Sequence, residues 1–135
     1  MKQIKVEDLM DRVFVTFTPD TPVRTVVETL DNKRLFGACV VDEKDQVLGI
    51  VSEQKCIKLY RQALSANSLK PIEDATVMDV LYDNFSTISQ TEGVVNTAQV
   101  FINNEFRRLP VVESGKLVGQ ITRRDILRAI ELFSM

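Results

Sequence analysis

Apolar positions along this chain recur with two different periods, and the alternation of those periods is itself repeated. Val23, Val26, Val27 and Leu30 fall at helical spacing behind Pro22, which predicts a helix over about 22–33 with proline in its first turn. Val94, Ala98, Phe101 and Ile102 predict its counterpart over about 93–104. Short runs rich in Phe, Val, Thr and Ile at 13–17 and 85–88 read as strands, each preceded by a short leading helix. Two hairpins follow: 37–42 with 46–51, turned at Glu43-Lys44-Asp45, and 109–113 with 116–121, turned at Ser114-Gly115. Closing helices are expected over about 53–66 and 123–133.

The order β-α-β-β-α therefore occurs twice, and the residues themselves are duplicated. Val6-Glu7-Asp8-Leu9-Met10 aligns with Val77-Met78-Asp79-Val80-Leu81, and Val40-Val41-Asp42 with Val111-Val112-Glu113, at an offset of 71. Past the hairpin turn the offset becomes 70, pairing Gly49 with Gly119 and Ser52 with Thr122. A turn is where a change of one residue in length is tolerated. The expected organisation is an α/β (α+β) protein of two copies, 1–68 and 69–135. Residues 67–75 form a polar, proline-containing connection.

Composition narrows the function classes more than it names one. The 135 residues are enough for a real core, and 44% hydrophobic with 27% charged is ordinary for a globular protein. A net charge of -2 gives no global footprint for nucleic acid or an anionic membrane. No apolar run approaches the roughly 20 residues needed to cross a bilayer. The first ten residues carry Glu7 and Asp8 and lack the apolar core of a signal peptide, so the cytoplasm is the expected compartment. The chain has no histidine, and Cys39 and Cys56 are isolated. That excludes Cys-His and Ser-His nucleophile pairs and most zinc sites, and leaves both thiols as expected buried, reduced core groups. With no glycine-rich phosphate loop and no carboxylate pair in a recognisable catalytic frame, no enzyme is expected.

Candidate chemistry concentrates where the last hairpin meets the last helix. Gly119-Gln120-Ile121-Thr122-Arg123-Arg124-Asp125 reads first as a capping box, with Thr122 at the N-cap and an acid at N3. The first copy has Gly49-Ile50-Val51-Ser52-Glu53-Gln54-Lys55, which keeps the hydroxyl and replaces the acid by Lys55. Basic residues are unevenly spread too. None occurs between 71 and 106, and then come Arg107, Arg108, Lys116, Arg123, Arg124 and Arg128. They suit phosphate groups through bidentate guanidinium contacts, or else form a solvated basic edge.

With duplication, element order, Leu9-Met10 of the opening segment, Arg107-Arg108-Leu109-Pro110-Val111-Val112-Glu113 and residues 119–127 in view, the chain resembles a tandem pair of CBS domains, a Bateman module. The resemblance covers essentially the whole chain. It implies two repeats packed with pseudo-twofold symmetry, clefts that take adenosine-containing ligands, and a homodimer of such modules. It implies further that Asp125 accepts the ribose hydroxyls with Thr122 beside it, and that Arg108 and, to a lesser degree, Arg107 face phosphate. Of Arg123 and Arg124, which lie between the two motif positions, one faces phosphate and the other solvent. Thr21 is the expected partner from the first repeat, or else a helix N-cap before Pro22. Gly37 and Ala38 stand where repeat 2 has Arg108 and Leu109, and leave room for a flat base to approach the backbone. Lys55 cannot accept a sugar hydroxyl, so the clefts are expected to be unequal, unless Lys55 is simply a solvated surface residue. Phe14, Phe17, Phe85 and Phe101 are expected in the core.

The function these readings imply is a regulatory adenine-nucleotide sensor that needs no cofactor. Its ligand is AMP, ADP or ATP rather than a cationic adenosyl compound, and its readout is an unknown partner protein. A ligand-free dimerisation module is the alternative.

Overall fold

The structure, a computed structural model, describes residues 3–134. Its elements are α1 (Val6–Leu9), β1 (Thr16–Phe17), α2 (Val23–Lys33), β2 (Gly37–Val41), β3 (Val47–Ser52), α3 (Glu53–Ala66) and α4 (Lys70–Glu73). A 3-10 turn over Val77–Val80 leads to β4 (Leu81–Tyr82), α5 (Val94–Asn103), β5 (Arg108–Glu113), β6 (Lys116–Thr122) and α6 (Arg123–Ser134). The mixed α+β architecture and both hairpins agree with the sequence pattern.

Two compact units result, and their boundaries are set by packing rather than by the repeat. One is Val15–Phe85; the other joins the segment that ends at Phe14 to the segment that begins at Ser86. In the first, β1 pairs parallel with β2, and β2-β3-β4 continue antiparallel. Its core gathers Phe17, Val23, Val26, Leu30, Ala38, Val40 and Val51 with Ala75, Val77 and Val80. The last three come from the leading segment of the second repeat. The other unit mirrors this choice. Val6, Leu9 and Met10 pack with Phe101, Leu109, Val111, Ile121 and Ala129. Backbone bonds from Val6 N–H to the Glu92 carbonyl (2.9 Å) and from Asp11 N–H to the Gln120 carbonyl (2.8 Å) fasten the segment there. Each hairpin thus buries an apolar face under the other repeat's leading turn. Full burial of a side chain such as Leu9 stabilises by about 1.5–3 kcal/mol.

Turn chemistry fixes both hairpins. Ser114 and Gly115 both have positive φ (51° and 79°), the backbone of a two-residue turn that matches strand twist. In the first hairpin the Asp42 carboxylate accepts the N–H groups of Lys44 (2.8 Å) and Gln46 (2.9 Å), while Asp45 takes φ 62°.

Several local expectations are corrected. The strand expected over 13–17 contracts to Thr16–Phe17, because only these residues find a register against Cys39 and Val40. That expected over 85–88 is no strand; Ile88 makes a single bridge to Val111. Pro22 is the N-cap of α2 rather than its first residue. Neither Thr21 nor Asp20 caps α2, since both side chains turn back to Thr18. The connection over 67–75 contains a helical turn, with Pro71 in the first turn of α4. Phe17 and Phe101 are core residues as expected, whereas Phe14 and Phe85 are only partly buried.

Candidate functional site

Thr122 ends β6 opposite Arg108 of β5, and three residues later Asp125 points back at it from the first turn of α6. The capping box forms. Asp125 Oδ2 accepts the Thr122 N–H at 2.8 Å and the Thr122 hydroxyl at 3.1 Å. Its other oxygen, Oδ1, accepts Arg128 Nη2 at 3.0 Å. Asp125 is only 5% exposed, so these donors and the positive end of α6 stand in for the water its oxygens lack. Arg128 also donates to the Leu9 carbonyl at 2.8 Å, a link across 119 residues of chain.

Asp11 belongs to the same cluster. It brackets Gln120 by two backbone hydrogen bonds. Its carboxyl is pushed above its usual range, first by desolvation and then by the Asp125 charge, with Arg128 partly offsetting both. Arg108 is buried and donates to Gln120 Oε1 at 3.3 Å. Arg107 is exposed at the mouth of the strand, and its carbonyl receives the Arg123 N–H at 3.3 Å. Arg123 donates its Nε to the Phe106 carbonyl at 2.8 Å, which ties the chain after α5 to the start of α6.

Thr122, Asp125, Arg107, Arg108 and Arg123 therefore come together in one unit, on two strand ends and one helix start. Thr21, Gly37 and Ala38 lie in the other unit and have local duties there. The Thr21 hydroxyl accepts the Thr18 N–H at 3.2 Å. Ala38 is in the core, and a side chain at Gly37 would meet the Val51 carbonyl at 2.4 Å. Gly37 thus packs closely against β3, and Ala38 is buried in the core beside it.

The equivalent corner of the Val15–Phe85 unit is built differently. Ser52 makes no side-chain cap for α3, and its Oγ is buried without a hydrogen-bond partner. Lys55 is not a freely solvated residue: its ammonium lies 4.6 Å from the centroid of the Tyr82 ring. Of the thiols, Cys39 is buried, and Cys56 is half-buried with burial pushing its thiol upward. Among the described residues no group of three or more Cys, Asp and Glu could hold a metal ion.

Sequence reasoning missed Asp11, Gln120 and the bridging role of Arg128. Asp11 aligns with Tyr82 at the offset of 71, so the repeat offered no matching carboxylate to mark it. The Arg128 link to Leu9 left no local signal.

The twice-built hairpin-and-helix unit, with a hydroxyl at each strand end, defines a duplicated α+β module, and known sequences say which. The CBS domain profile matches residues 6–62 and again 73–132. The chain belongs to the CBS domain family and is a tandem CBS pair. It is 30% identical to the chloroplastic CBS domain-containing protein CBSX1 of Arabidopsis thaliana, covering 82% of this chain and 56% of that protein. It is 27% identical to an uncharacterized protein of Methanocaldococcus jannaschii, covering 93% of this chain and 42% of the other. It thus spans about half the length of these two relatives. The crystal structure of Arabidopsis CBSX2 in complex with AMP superposes with a TM-score of 0.84 at 25% identity, covering 97% of this chain and 98% of that one. No helix among the described residues is long and apolar enough to cross a membrane.

Proposed function

We propose that this CBS pair is a non-catalytic regulatory module of the cytoplasm that binds an adenine nucleotide at the Asp125 corner. The carrying observation is a buried carboxylate, oriented at both oxygens, at the start of α6. A carboxylate oxygen has lone pairs beyond those taken by Thr122 and Arg128, and a ribose diol supplies two donors to fill them. Arg107, Arg108 and Arg123 surround the same strand and helix ends, which favours a phosphorylated ligand such as AMP, ADP or ATP over a cationic one. The AMP complex of the CBSX2 relative supports that choice. Lys55 and the uncapped Ser52 lack these features, so the other corner takes no ribose.

Binding regulates a partner only through different affinities for two arrangements of the module. Self-association is part of the reading. Ile57, Tyr60 and Leu64 of α3 are exposed, as are Leu127 and Ile130 of α6, the last two aligned with Ile57 and Tyr60 at the offset of 70. These apolar helix faces suit a homodimer, and would do so equally in a module that binds no ligand. Calorimetry with AMP, ADP and ATP, repeated on Asp125→Asn, tests the sensor reading. We expect one tight site per chain, weakened about tenfold or more by the substitution. No binding by any of the three, or binding indifferent to Asp125→Asn, overturns it and leaves the dimerisation module, which sedimentation across a concentration series measures.

A further inference from the structure

Arg128 bonds two groups from distant parts of the chain: the carboxylate of Asp125 at 3.0 Å and the carbonyl of Leu9 at 2.8 Å, both from Nη2. One nitrogen carries two protons, so both bonds form at once. Asp125 Oδ2 is already fixed by Thr122. Arg128 therefore sets the remaining freedom of the carboxylate, its rotation about the bond to the side chain. It also sets the charge of the corner, because Asp11 and Asp125 stand close enough to raise the Asp11 carboxyl and Arg128 is the cation that offsets them. The guanidinium is about half exposed, whereas Asp125 is buried. A plain surface ion pair would contribute little to stability. Holding a buried carboxylate at a fixed angle is a different task, suited to a planar, permanently charged donor.

We infer that Arg128 is a positioning residue for the ribose-binding carboxylate, and that through Leu9 it ties occupancy at Asp125 to the docking of the leading segment around α1. The inference rests on the reading of Asp125 as a ribose acceptor. If the carboxylate and the Leu9 carbonyl share one donor, a ligand that locks Asp125 locks Arg128, and the segment gains protection. The coupling is reciprocal, so a loosened segment weakens the ligand by the same factor.

The test compares AMP with 2′,3′-dideoxyadenosine monophosphate, which lacks both hydroxyls, on the whole protein. The unaltered chain binds AMP more tightly than the dideoxy compound, and Asp125→Asn removes most of that preference. Arg128→Met lowers AMP affinity roughly tenfold, the size of one charge-assisted hydrogen bond, and leaves the dideoxy compound unchanged. Arg128→Lys recovers part of the preference. Hydrogen exchange supplies the second readout: AMP slows the amides of Met10 and Asp11 in the unaltered chain and not in Arg128→Met. Equal weakening of both nucleotides in Arg128→Met, or unchanged AMP affinity, overturns the positioning role while the ribose site stands. An unaltered chain that shows no preference between the two nucleotides overturns the ribose site, and this inference with it.

Discussion

The ammonium of Lys55 rests 4.6 Å from the Tyr82 ring centroid, and these two residues hold the places that Asp125 and Asp11 hold in the other unit. One corner of the duplicated fold thus holds two neighbouring carboxylates with a guanidinium bound to one of them, and the other a cation lying on an aromatic face. The strand and helix geometry is retained while the chemistry is exchanged. In the acidic corner the hydroxyl at the strand end works within a capping box; in the basic corner it has no partner.

That contrast predicts opposite responses to the same substitution. Thr122→Ala removes a hydroxyl that donates to a buried carboxylate and is expected to destabilise by about 0.5–2 kcal/mol. Ser52→Ala removes a buried oxygen that bonds nothing, so it is expected to be neutral or slightly stabilising. Denaturant unfolding of the two variants checks this, and a cost at Ser52 equal to that at Thr122 would contradict it.

Glycine at two positions of the first hairpin answers to backbone, not to flexibility. A Cβ at Gly37 would lie 2.4 Å from the Val51 carbonyl oxygen, and one at Gly49 would lie 2.4 Å from the Tyr82 carbonyl oxygen. Gly37→Ala and Gly49→Ala must push strands apart, at an expected cost of about 1–3 kcal/mol each. Gly49→Ala should in addition weaken the pairing of β3 with β4. Faster amide exchange along Leu81–Tyr82 would report it.

The exchange of leading segments between hairpins makes a prediction about where damage appears. Leu9 is in the first repeat by sequence, yet it is buried among Phe101, Leu109 and Ile121. Leu9→Ala is expected to cost about 2–5 kcal/mol. The amides that lose protection should be those of β5, β6 and α6, while the sheet of Val15–Phe85 is spared. Val80→Ala, in the opposite exchange, should loosen the hairpin of β2 and β3 instead.

Much of this architecture was legible because hairpins and amphipathic helices are local. The offset of 71 and then 70, the Ser114-Gly115 turn and the helical spacing of Val23, Val26 and Leu30 lie within short windows. The pairing of Asp11 with Gln120, or of Leu81 with Val51, was not legible, since it depends on which hairpin buries which leading turn. The site divided along the same line. Thr122 and Asp125 form a three-residue motif and could be read directly. Asp11 and the Leu9 carbonyl reach Asp125 only through tertiary packing. Arg108 stood out by charge, but its partner Gln120 could be seen only once β5 and β6 were in register.

Acid titration should separate two carboxylates that respond in opposite directions. Glu113 accepts the Ser89 hydroxyl at 2.6 Å and the Gln90 N–H at 2.7 Å. These bonds hold its carboxyl below the ordinary value of 4.5. Its folded form releases the proton more readily than the unfolded chain, so its contribution is present above the unfolded value and lost as pH falls through the folded one. Asp11 is raised above 3.8, chiefly by desolvation and then by Asp125. Its folded form binds the proton more tightly, so between 3.8 and the raised value it makes stability fall as pH rises, and its cost is fully felt at neutral pH. Glu113→Gln should therefore flatten the acid limb of the stability curve. Asp11→Asn should gain stability at pH 7 relative to the unaltered chain and lose that advantage toward pH 3. Unfolding free energies from pH 3 to 7 decide it, and an Asp11→Asn variant that is less stable at neutral pH would show that Asp11 is stabilised by Arg128 more than it is strained by Asp125.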